Sequence, residues 1–268
     1  MTTVSIVIPT WNRAHLLKNS LTRLCNLTLP DEVLIIDDGS TDNTEQVVES
    51  FKDKLPIRYI YNHSPGYTMC TTPRNIGLKH AQGELLICTE PEILFVSDLV
   101  KEMVNYYEEH NKVVSVGTVY HSSQNSIISS EFFTDPKQAL TKEIIKPHGQ
   151  SASSKEYMLT TGWVASFCIL YKKEWLMSIN GWDEEFEGIW GWDDTDLMTR
   201  LRLSGVASYI NNDFEAIHQW HPRAGSFGKS DGQHLNEKRF KSKHFENELN
   251  NPNIIANQNK EWGIIKQR

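Results

Sequence analysis

The sequence predicts an α/β fold in which helices flank a mostly parallel central sheet. Short and almost continuous apolar runs recur through the first third of the chain, as is typical of strands buried on both faces of a parallel sheet. These runs span residues 4–9, 32–38, 57–62 and 84–90. Helix-like segments separate them, and such β–α–β units connect with right-handed crossovers. The first hundred residues are therefore predicted to form a Rossmann-like half.

The intervening segments carry helical periodicity and helix-start signals. The first places leucines on one helical face, and the second opens with Ser, Thr and Asp capping residues before an apolar stripe. The residues concerned are Leu16, Leu17, Leu21, Leu24, Val47, Val48 and Phe51. Both segments are predicted to cover a face of the sheet.

The second half predicts further helices and strands around a long loop. A helix and a strand follow residue 98, and residues 121–160 are polar and without a pattern, so we expect a long loop with short helical pieces. A strand and a helix then occupy 160–180. A Trp- and Asp-rich loop leads into a helix that ends at Gly205, and residues 206–211 and 214–221 predict two more short strands.

Composition and charge exclude several classes of protein. The chain has 268 residues, with 27 Lys and Arg against 34 Asp and Glu and a net charge of −7, so nucleic acid is not an expected partner. No apolar run is long enough for a transmembrane helix, which leaves a soluble or peripherally membrane-attached protein. The four cysteines lack metal-site spacing and predict a reducing compartment, hence a cytoplasmic location.

Polar residues follow the first two predicted strands, at residues 9–13 and 37–42. Adjacent strand ends form one edge of the crevice where α/β sheets bind ligands, and a carboxylate there can accept hydrogen bonds from a base or a ribose. Asp38 is the candidate for reading a base. The alternative is that Asp37, Asp38 and Ser40 cap the next helix.

Phosphate-binding signatures of other nucleotide enzymes do not occur. Neither GxGxxG nor GxxxxGK[ST] is present, which disfavours dehydrogenases and kinases. Arg74 and Asn75 instead stand at the start of a predicted helix, where a guanidinium and unpaired backbone N–H groups favour a diphosphate. The alternative is a helix start with an exposed arginine.

Glu90, Pro91 and Glu92 follow the fourth predicted strand. In extended geometry residues i and i+2 point to one side, so the two carboxylates are expected to converge on a hard divalent cation. His218 and His221 are candidates for a third protein ligand. The alternative is a solvated Glu-Pro-Glu turn.

Asp193 and Asp194 lie where an aromatic loop becomes a helix. One aspartate can be held by helix N–H groups while the other serves as a general base, although both are also ordinary first-turn or N-cap acids. Trp190 and Trp192 could pack in the core, but aromatic faces beside Gly191 also stack on sugar rings.

The order of these segments resembles that of the family 2 glycosyltransferases with the GT-A fold. The resemblance rests on VSIVIPTWNR, LIIDDGSTDNT, RNIGLKHAQGELLICTEPE, GWDEEFEGIWGWDDTDLMTRLRLSG and a later HQWH, over about residues 3–222. The late acidic segment is similar to that of inverting galactosyl- and chondroitin-type transferases.

This resemblance implies an activity and an organisation. A sugar would pass from a nucleotide-diphosphate donor, with UDP favoured, to a hydroxyl of a glycan or glycoconjugate, with Mn²⁺ or Mg²⁺ on the diphosphate. Residues 1–222 would form the GT-A domain, with 1–98 as the nucleotide-binding half and 99–222 as the acceptor and catalytic half. A smaller sheet would lie on the acceptor side. Residues 223–268 would supply a lid-like loop and a helical tail.

The resemblance also implies roles for individual residues. Those expected to bind the donor or the acceptor are Pro9, Thr10, Arg13, Asp38, Arg74, Trp190 and Trp192. The metal motif of the family has two aspartates flanking one residue, whereas Glu90 and Glu92 stand at the matching positions here. Metal binding is then retained with altered geometry, weakened, or carried mainly by Glu92 and His218. Asp194 matches the catalytic base, beside Asp193.

Two other classes compete with an inverting glycosyltransferase. A non-catalytic module that binds sugar nucleotides or glycans could keep the fold after losing the aspartate motif. A nucleotidyltransferase would need a glycine- and lysine-rich phosphate loop after the first strand, which residues 9–15 do not supply.

Overall fold

The structure is a computed structural model of the chain. It describes residues 2–63, 71–122, 133–134, 136, 144–149, 156–158, 168–188, 191–222 and 231–246. The predicted α/β fold is confirmed. The strands described join one ten-stranded sheet with the order β3-β2-β1-β4-β9-β6-β10-β5, in which β7 pairs with β6 and β8 with β10.

The first half of the sheet is parallel, as predicted. Its strands are β1 (Val4–Thr10), β2 (Glu32–Asp37), β3 (Ile57–Tyr61) and β4 (Leu85–Thr89). Strands β1, β2 and β4 are buried throughout, but β3 is only half-buried because it is the edge strand. Thr10 pairs with Asp37 at the carboxyl ends of β1 and β2, so their following loops lie side by side.

The second half mixes parallel and antiparallel pairs. Its strands are β5 (Ile93–Phe95), β6 (Val113–Ser122), β7 (Ile144–Gly149), β8 (Glu156–Met158), β9 (Cys168–Lys172) and β10 (Ser208–His218). Strand β9 is antiparallel to both β4 and β6, while β10 is parallel to β6 and antiparallel to β5. The strands expected on the acceptor side thus continue the central sheet.

Two expectations about the second half are corrected. Strands β7 and β8 lie within 121–160, where a loop with helical pieces was expected, because they gain their hydrogen bonds from distant strands. Residues 208–218 form one strand instead of two. The register shift between Asn211 and Glu215 accommodates the polar interruption that suggested a break.

Helices pack on both faces of the sheet and enclose the two larger of the three hydrophobic clusters formed by the described residues. They are α1 (Ala14–Leu24), α2 (Thr44–Glu49), α3 (Thr71–His80), α4 (Leu99–His110), α5 (Lys173–Ser178), α6 (Asp193–Leu203) and α7 (Asp231–Lys241). Leu17, Leu21 and Met103 fill the core on one face, and Leu78, Leu176 and Leu197 fill the other. Within the described ranges, no helix combines the length and apolarity needed to span a bilayer.

Two short elements adjoin α6 and α7. A 3₁₀ turn (Glu184–Phe186) precedes α6, and a π-helical turn (Ser242–Glu246) continues α7. Strand β5, from the predicted nucleotide-binding half, pairs with β10 from the other half, so the sheet crosses the boundary expected near residue 98. The division into halves stays a prediction.

Candidate active site

The polar residues singled out in the sequence converge at one edge of the sheet. Strand β4 ends before Glu90, α3 carries Arg74 in its first turn, α6 begins at Asp193, and β10 ends at His218. The parallel pairing of β1 with β4 brings the ends of both strands to this edge. Ion pairs between these segments then define the site.

The Glu-Pro-Glu segment is a turn, so the expectation of extended geometry is wrong. The Ile93 N–H donates to the Glu90 carbonyl oxygen over 3.1 Å, which bends the chain between the two glutamates. The Ser20 hydroxyl donates to the Pro91 carbonyl over 2.6 Å and fastens the turn to α1. The two carboxylates consequently have different partners.

Glu92 faces two histidines. Its Oε1 lies 3.0 Å from His221 Nε2 and 3.9 Å from His218 Nε2. One ligand atom from each of the three residues lies within 4.8 Å of the others, and Glu90 is not a member of this group. Among the described residues, this is the group that could hold a metal ion.

Charge and burial shift the pKa values of all three residues in this cluster. Burial disfavours ionisation of Glu92, but the hydrogen bond from His221 and the proximity of the two imidazoles outweigh it and lower the pKa of Glu92. The same hydrogen bond raises the pKa of His221. Burial lowers the pKa of His218 to about 4, so its imidazole is neutral at physiological pH.

Arg74 is the centre of a second cluster. It contacts Glu90 Oε1 at 3.3 Å, Asp193 Oδ2 at 3.4 Å and Asp194 Oδ1 at 3.3 Å, and its side chain is 6% exposed. The alternative of an exposed arginine at a helix start is therefore wrong. The guanidinium contacts carboxylates from the turn after β4 and from the start of α6, and its predicted contact with base or phosphate stays a prediction.

Three carboxyl groups surround the single positive charge of Arg74. Burial and the neighbouring charge of Glu92 raise the pKa of Glu90, and Arg74 offsets only part of that effect. Burial and the adjacent Asp194 raise the pKa of Asp193 to about 7. Only Pro91 separates Glu90, which contacts Arg74, from Glu92, which contacts His221, so the two clusters adjoin.

Asn75 fixes the loop that leads to the acidic pair. Its Nδ2 donates to the Trp182 carbonyl at 2.8 Å and to Glu184 Oε1 at 2.7 Å, while its Oδ1 accepts from the Trp182 N–H at 2.8 Å. Gly181 lies so close that a Cβ there would meet Asn75 Oδ1 at 2.4 Å. Asn75, expected beside a diphosphate, is thus a loop anchor.

The acidic pair starts α6 as its first and second residues. The residue before it, Trp192, adopts φ of 74°, a left-handed conformation, and occupies the N-cap position considered for an aspartate. The Trp192 ring lies 5.1 Å from that of Phe240 on α7. Its predicted role toward the acceptor stays a prediction, and Trp190 lies outside the described residues.

The ends of β1 and β2 form the predicted nucleotide edge. Asp38 is buried, its N–H donates to the Thr10 carbonyl at 2.9 Å, and its Oδ1 accepts from Asn62 Nδ2 at 2.8 Å. The N-cap of α2 is Asn43, so capping does not explain Asp38. Pro9 and Thr10 are buried beside it, and Arg13 is near enough for its charge to lower the pKa of Glu92.

Helix α7 and the π-helical turn after it make contacts with the site that the sequence patterns do not predict. Asn236 donates to the Gly191 carbonyl at 2.9 Å, and His244 contacts Asp196 Oδ1 at 2.7 Å. Asp196 is wholly buried on α6 and also pairs with Arg200. The signal in the sequence is that Asp196 is a third acid in the first turn of α6, because an acid on the inner face of a helix needs partners from elsewhere.

The sequence matches two family models and several curated proteins. Residues 5–177 match the family model described as "Glycosyl transferase family 2", and residues 150–221 match "N-terminal domain of galactosyltransferase". The chain is 26% identical over 245 residues to chondroitin synthase of Pasteurella multocida, covering 82% of this chain and 25% of that protein. It is 30% identical over 263 residues to validoxylamine A glucosyltransferase of Streptomyces hygroscopicus subsp. jinggangensis, covering 90% and 61%.

A solved structure shares the fold. The crystal structure of Staphylococcus aureus TarS 1–349 in complex with UDP-GlcNAc matches 85% of this chain and 61% of that one, with a TM-score of 0.63 and 20% sequence identity. The predicted GT-A architecture is thereby confirmed. The chain spans less than two thirds of the length of each of these three proteins.

Proposed function

Because the chain belongs to glycosyl transferase family 2, we propose that it transfers a sugar from a nucleotide-diphosphate sugar to a hydroxyl of a glycan or glycoconjugate. UDP is the favoured nucleotide, and the transfer inverts the configuration at the anomeric carbon. The observation that carries the proposal is the meeting of two clusters at one sheet edge, an acidic pair held by Arg74 and a metal-type group at Glu92. The relatives' own activities, named above, agree with a glycosyl transfer.

The acidic pair supplies the base in this proposal. Asp194, on the first turn of α6, accepts the proton of the acceptor hydroxyl while that oxygen attacks the anomeric carbon. The bond from that carbon to the diphosphate breaks on the opposite face, and the nucleotide diphosphate leaves with its electron pair. Arg74 holds Asp194 and Asp193 in place through contacts of 3.3 and 3.4 Å.

The residues at Glu92 fit a divalent cation. A carboxylate and two imidazoles offer three ligand atoms, and the low pKa of His218 leaves its ring neutral, as ligation requires. His221 Nδ1 lies 2.9 Å from the Pro222 carbonyl, which can hold a proton on Nδ1, and a bound cation would replace the Nε2 proton that Glu92 accepts. When bound, Mn²⁺ or Mg²⁺ would neutralise charge on the departing diphosphate.

The donor nucleotide is assigned to the edge formed by β1 and β2. Pro9, Thr10 and Arg13 line one strand end, and Asp38 at the other would accept a hydrogen bond from the base. Asn62, hydrogen-bonded to Asp38, orients that carboxylate. Trp190 and Trp192 would bind the acceptor from the loop before the base.

The test is a panel of nucleotide sugars incubated with Mn²⁺ and a panel of glycan acceptors, with release of free nucleotide and product anomeric configuration as readouts. We expect one donor to be consumed, with inversion, and Asp194→Asn to lose that turnover while nucleotide binding is retained. Asp53→Asn, at an exposed position of a distant turn, is the matched control. Donor binding without turnover in the wild type would instead support a non-catalytic module.

A further inference from the structure

Helix α7 packs directly on the loop that presents the acidic pair. Asn236 is wholly buried, and its Nδ2 donates to the Gly191 carbonyl at 2.9 Å and to the Phe186 carbonyl at 3.2 Å. Its Oδ1 accepts from Arg239 Nη1 at 3.0 Å. One amide therefore joins the two sides of the segment between the 3₁₀ turn and α6.

The backbone just before the acidic pair is held in an uncommon conformation. Trp192 has φ of 74°, which L side chains seldom adopt and which persists where surrounding contacts determine it. Phe240 of α7 packs against its ring at 5.1 Å, and Asn236 binds the carbonyl of the residue before it. The direction in which α6 begins thus depends on contacts from α7.

A buried charge network joins the π-helical turn after α7 to α6. Asp196, fully buried, receives His244 Nε2 at 2.7 Å, Lys243 Nζ at 2.9 Å and Arg200 Nε at 2.7 Å. Lys243 also pairs with Asp183, which precedes the 3₁₀ turn. Since Asp196 lies on the first turn of α6, this network holds the turn that carries the acids.

We propose that residues 231–246 form a clamp that positions the catalytic base, with Asn236 and His244 as positioning residues for acceptor activation. The proposal rests on the proposed function, because it assumes that Asp194 is the base. It assigns the clamp no contact with donor, acceptor or metal. Loosening it should misplace the base while leaving the nucleotide edge and the Glu92 cluster intact, since these lie on other elements.

Two variants and their partners test the clamp. Asn236→Asp keeps the shape and the acceptor for Arg239, but its ionised carboxylate cannot donate to the two carbonyl groups. His244→Ala removes the contact with Asp196, and His244→Gln retains an N–H donor. Lys238→Ala, at an exposed position of the same helix, is the control.

We expect kcat of sugar transfer to fall roughly 10- to 100-fold in Asn236→Asp and His244→Ala, as small displacements of a reacting group do. KM for the donor and the affinity for UDP should stay within about twofold, because a misplaced base affects the chemical step alone. His244→Gln should recover much of the loss, and Lys238→Ala should match the wild type. Amide hydrogen exchange of residues 191–203 should quicken in the two impaired variants.

Unchanged kcat and unchanged exchange in Asn236→Asp and His244→Ala would overturn the clamp. A loss of UDP affinity as large as the loss of kcat would also overturn it, because such a loss would indicate general damage to the fold. A wild-type protein that transfers sugar from no donor would refute the proposed function, and unchanged exchange of residues 191–203 would then refute the clamp separately.

Discussion

Glu92 and His221 form an ion pair, with Oε1 of the glutamate 3.0 Å from Nε2 of the histidine. The pair joins the turn after β4 to the end of β10 and brings His218 alongside at 3.9 Å. Because the two histidines frame Glu92 and not Glu90, the two glutamates serve different clusters. The second glutamate belongs to the candidate metal group and the first to Arg74.

Replacing His221 with alanine should weaken metal binding strongly. The variant loses one of three ligand atoms, and even outer partners of metal ligands contribute about 10- to 100-fold in affinity. We therefore expect the Mn²⁺ dissociation constant, measured by titration calorimetry, to rise at least about tenfold. His110→Ala, on α4, is the control, and an unchanged Mn²⁺ titration in His221→Ala would show that the cluster is not a metal site.

Shortening each glutamate in turn should separate their roles. Glu92→Asp draws the carboxylate away from His221 by one methylene, so the affinity for Mn²⁺ should fall. Glu90→Asp should change the Mn²⁺ titration much less, because Glu90 contacts Arg74 at 3.3 Å. Tighter Mn²⁺ binding by Glu92→Asp would mean that the glutamate is a weakened substitute for the aspartate found in the family.

The parts of the molecule that could be predicted from sequence are those specified locally. Strands β1, β2 and β4 are buried on both faces, so their apolar runs mark them within a residue or two. Strands β7 and β8 have no comparable signal, since their pairing with β6 and β10 is long-range.

The candidate site divides in the same way. Asp193, Asp194 and His218 stand out by residue type and position, and the structure brings them to one edge. The different partners of Glu90 and Glu92 depend on one turn hydrogen bond, from Ile93 to Glu90, which the letters Glu-Pro-Glu do not specify. The contact of Asn236 with the acidic loop depends on how α7 packs, and no local pattern encodes it.

Replacing Arg74 with methionine should destabilise the protein, and more so at higher pH. Arg74 is the buried cation facing Glu90, Asp193 and Asp194, and removing one partner of a buried ion pair typically costs about 3–5 kcal/mol. Arg74 counteracts the rise of the pKa of Glu90 and of Asp193, so without it both carboxyls resist ionisation further. Unfolding then frees them to ionise, which favours the unfolded state as pH rises.

Urea denaturation at pH 5.5 and pH 8 measures this effect. We expect the loss in unfolding free energy to be greater at pH 8, and Arg202→Met, at an exposed position on α6, to show little change at either pH. An equal loss at both values would mean that Arg74 acts through packing alone and not through its charge.

Replacing Asp193 with asparagine should stabilise the protein, chiefly above neutral pH. In the folded state burial and Asp194 raise the pKa of Asp193 from 3.8 to about 7. Between these values the unfolded state releases the proton and the folded state retains it, so wild-type stability falls as pH rises toward 7 and the penalty is full above it. Asparagine removes that penalty but keeps the side-chain shape.

We expect the Tm of Asp193→Asn at pH 8 to exceed that of the wild type by roughly 2–4 °C, with a smaller gain at pH 4.5. A stabilisation of about 1 kcal/mol gives a chain of this size such a shift. Calorimetry of both proteins and of Asp53→Asn would show it, and a lower Tm at pH 8 would mean that the contact with Arg74 outweighs the cost of burial.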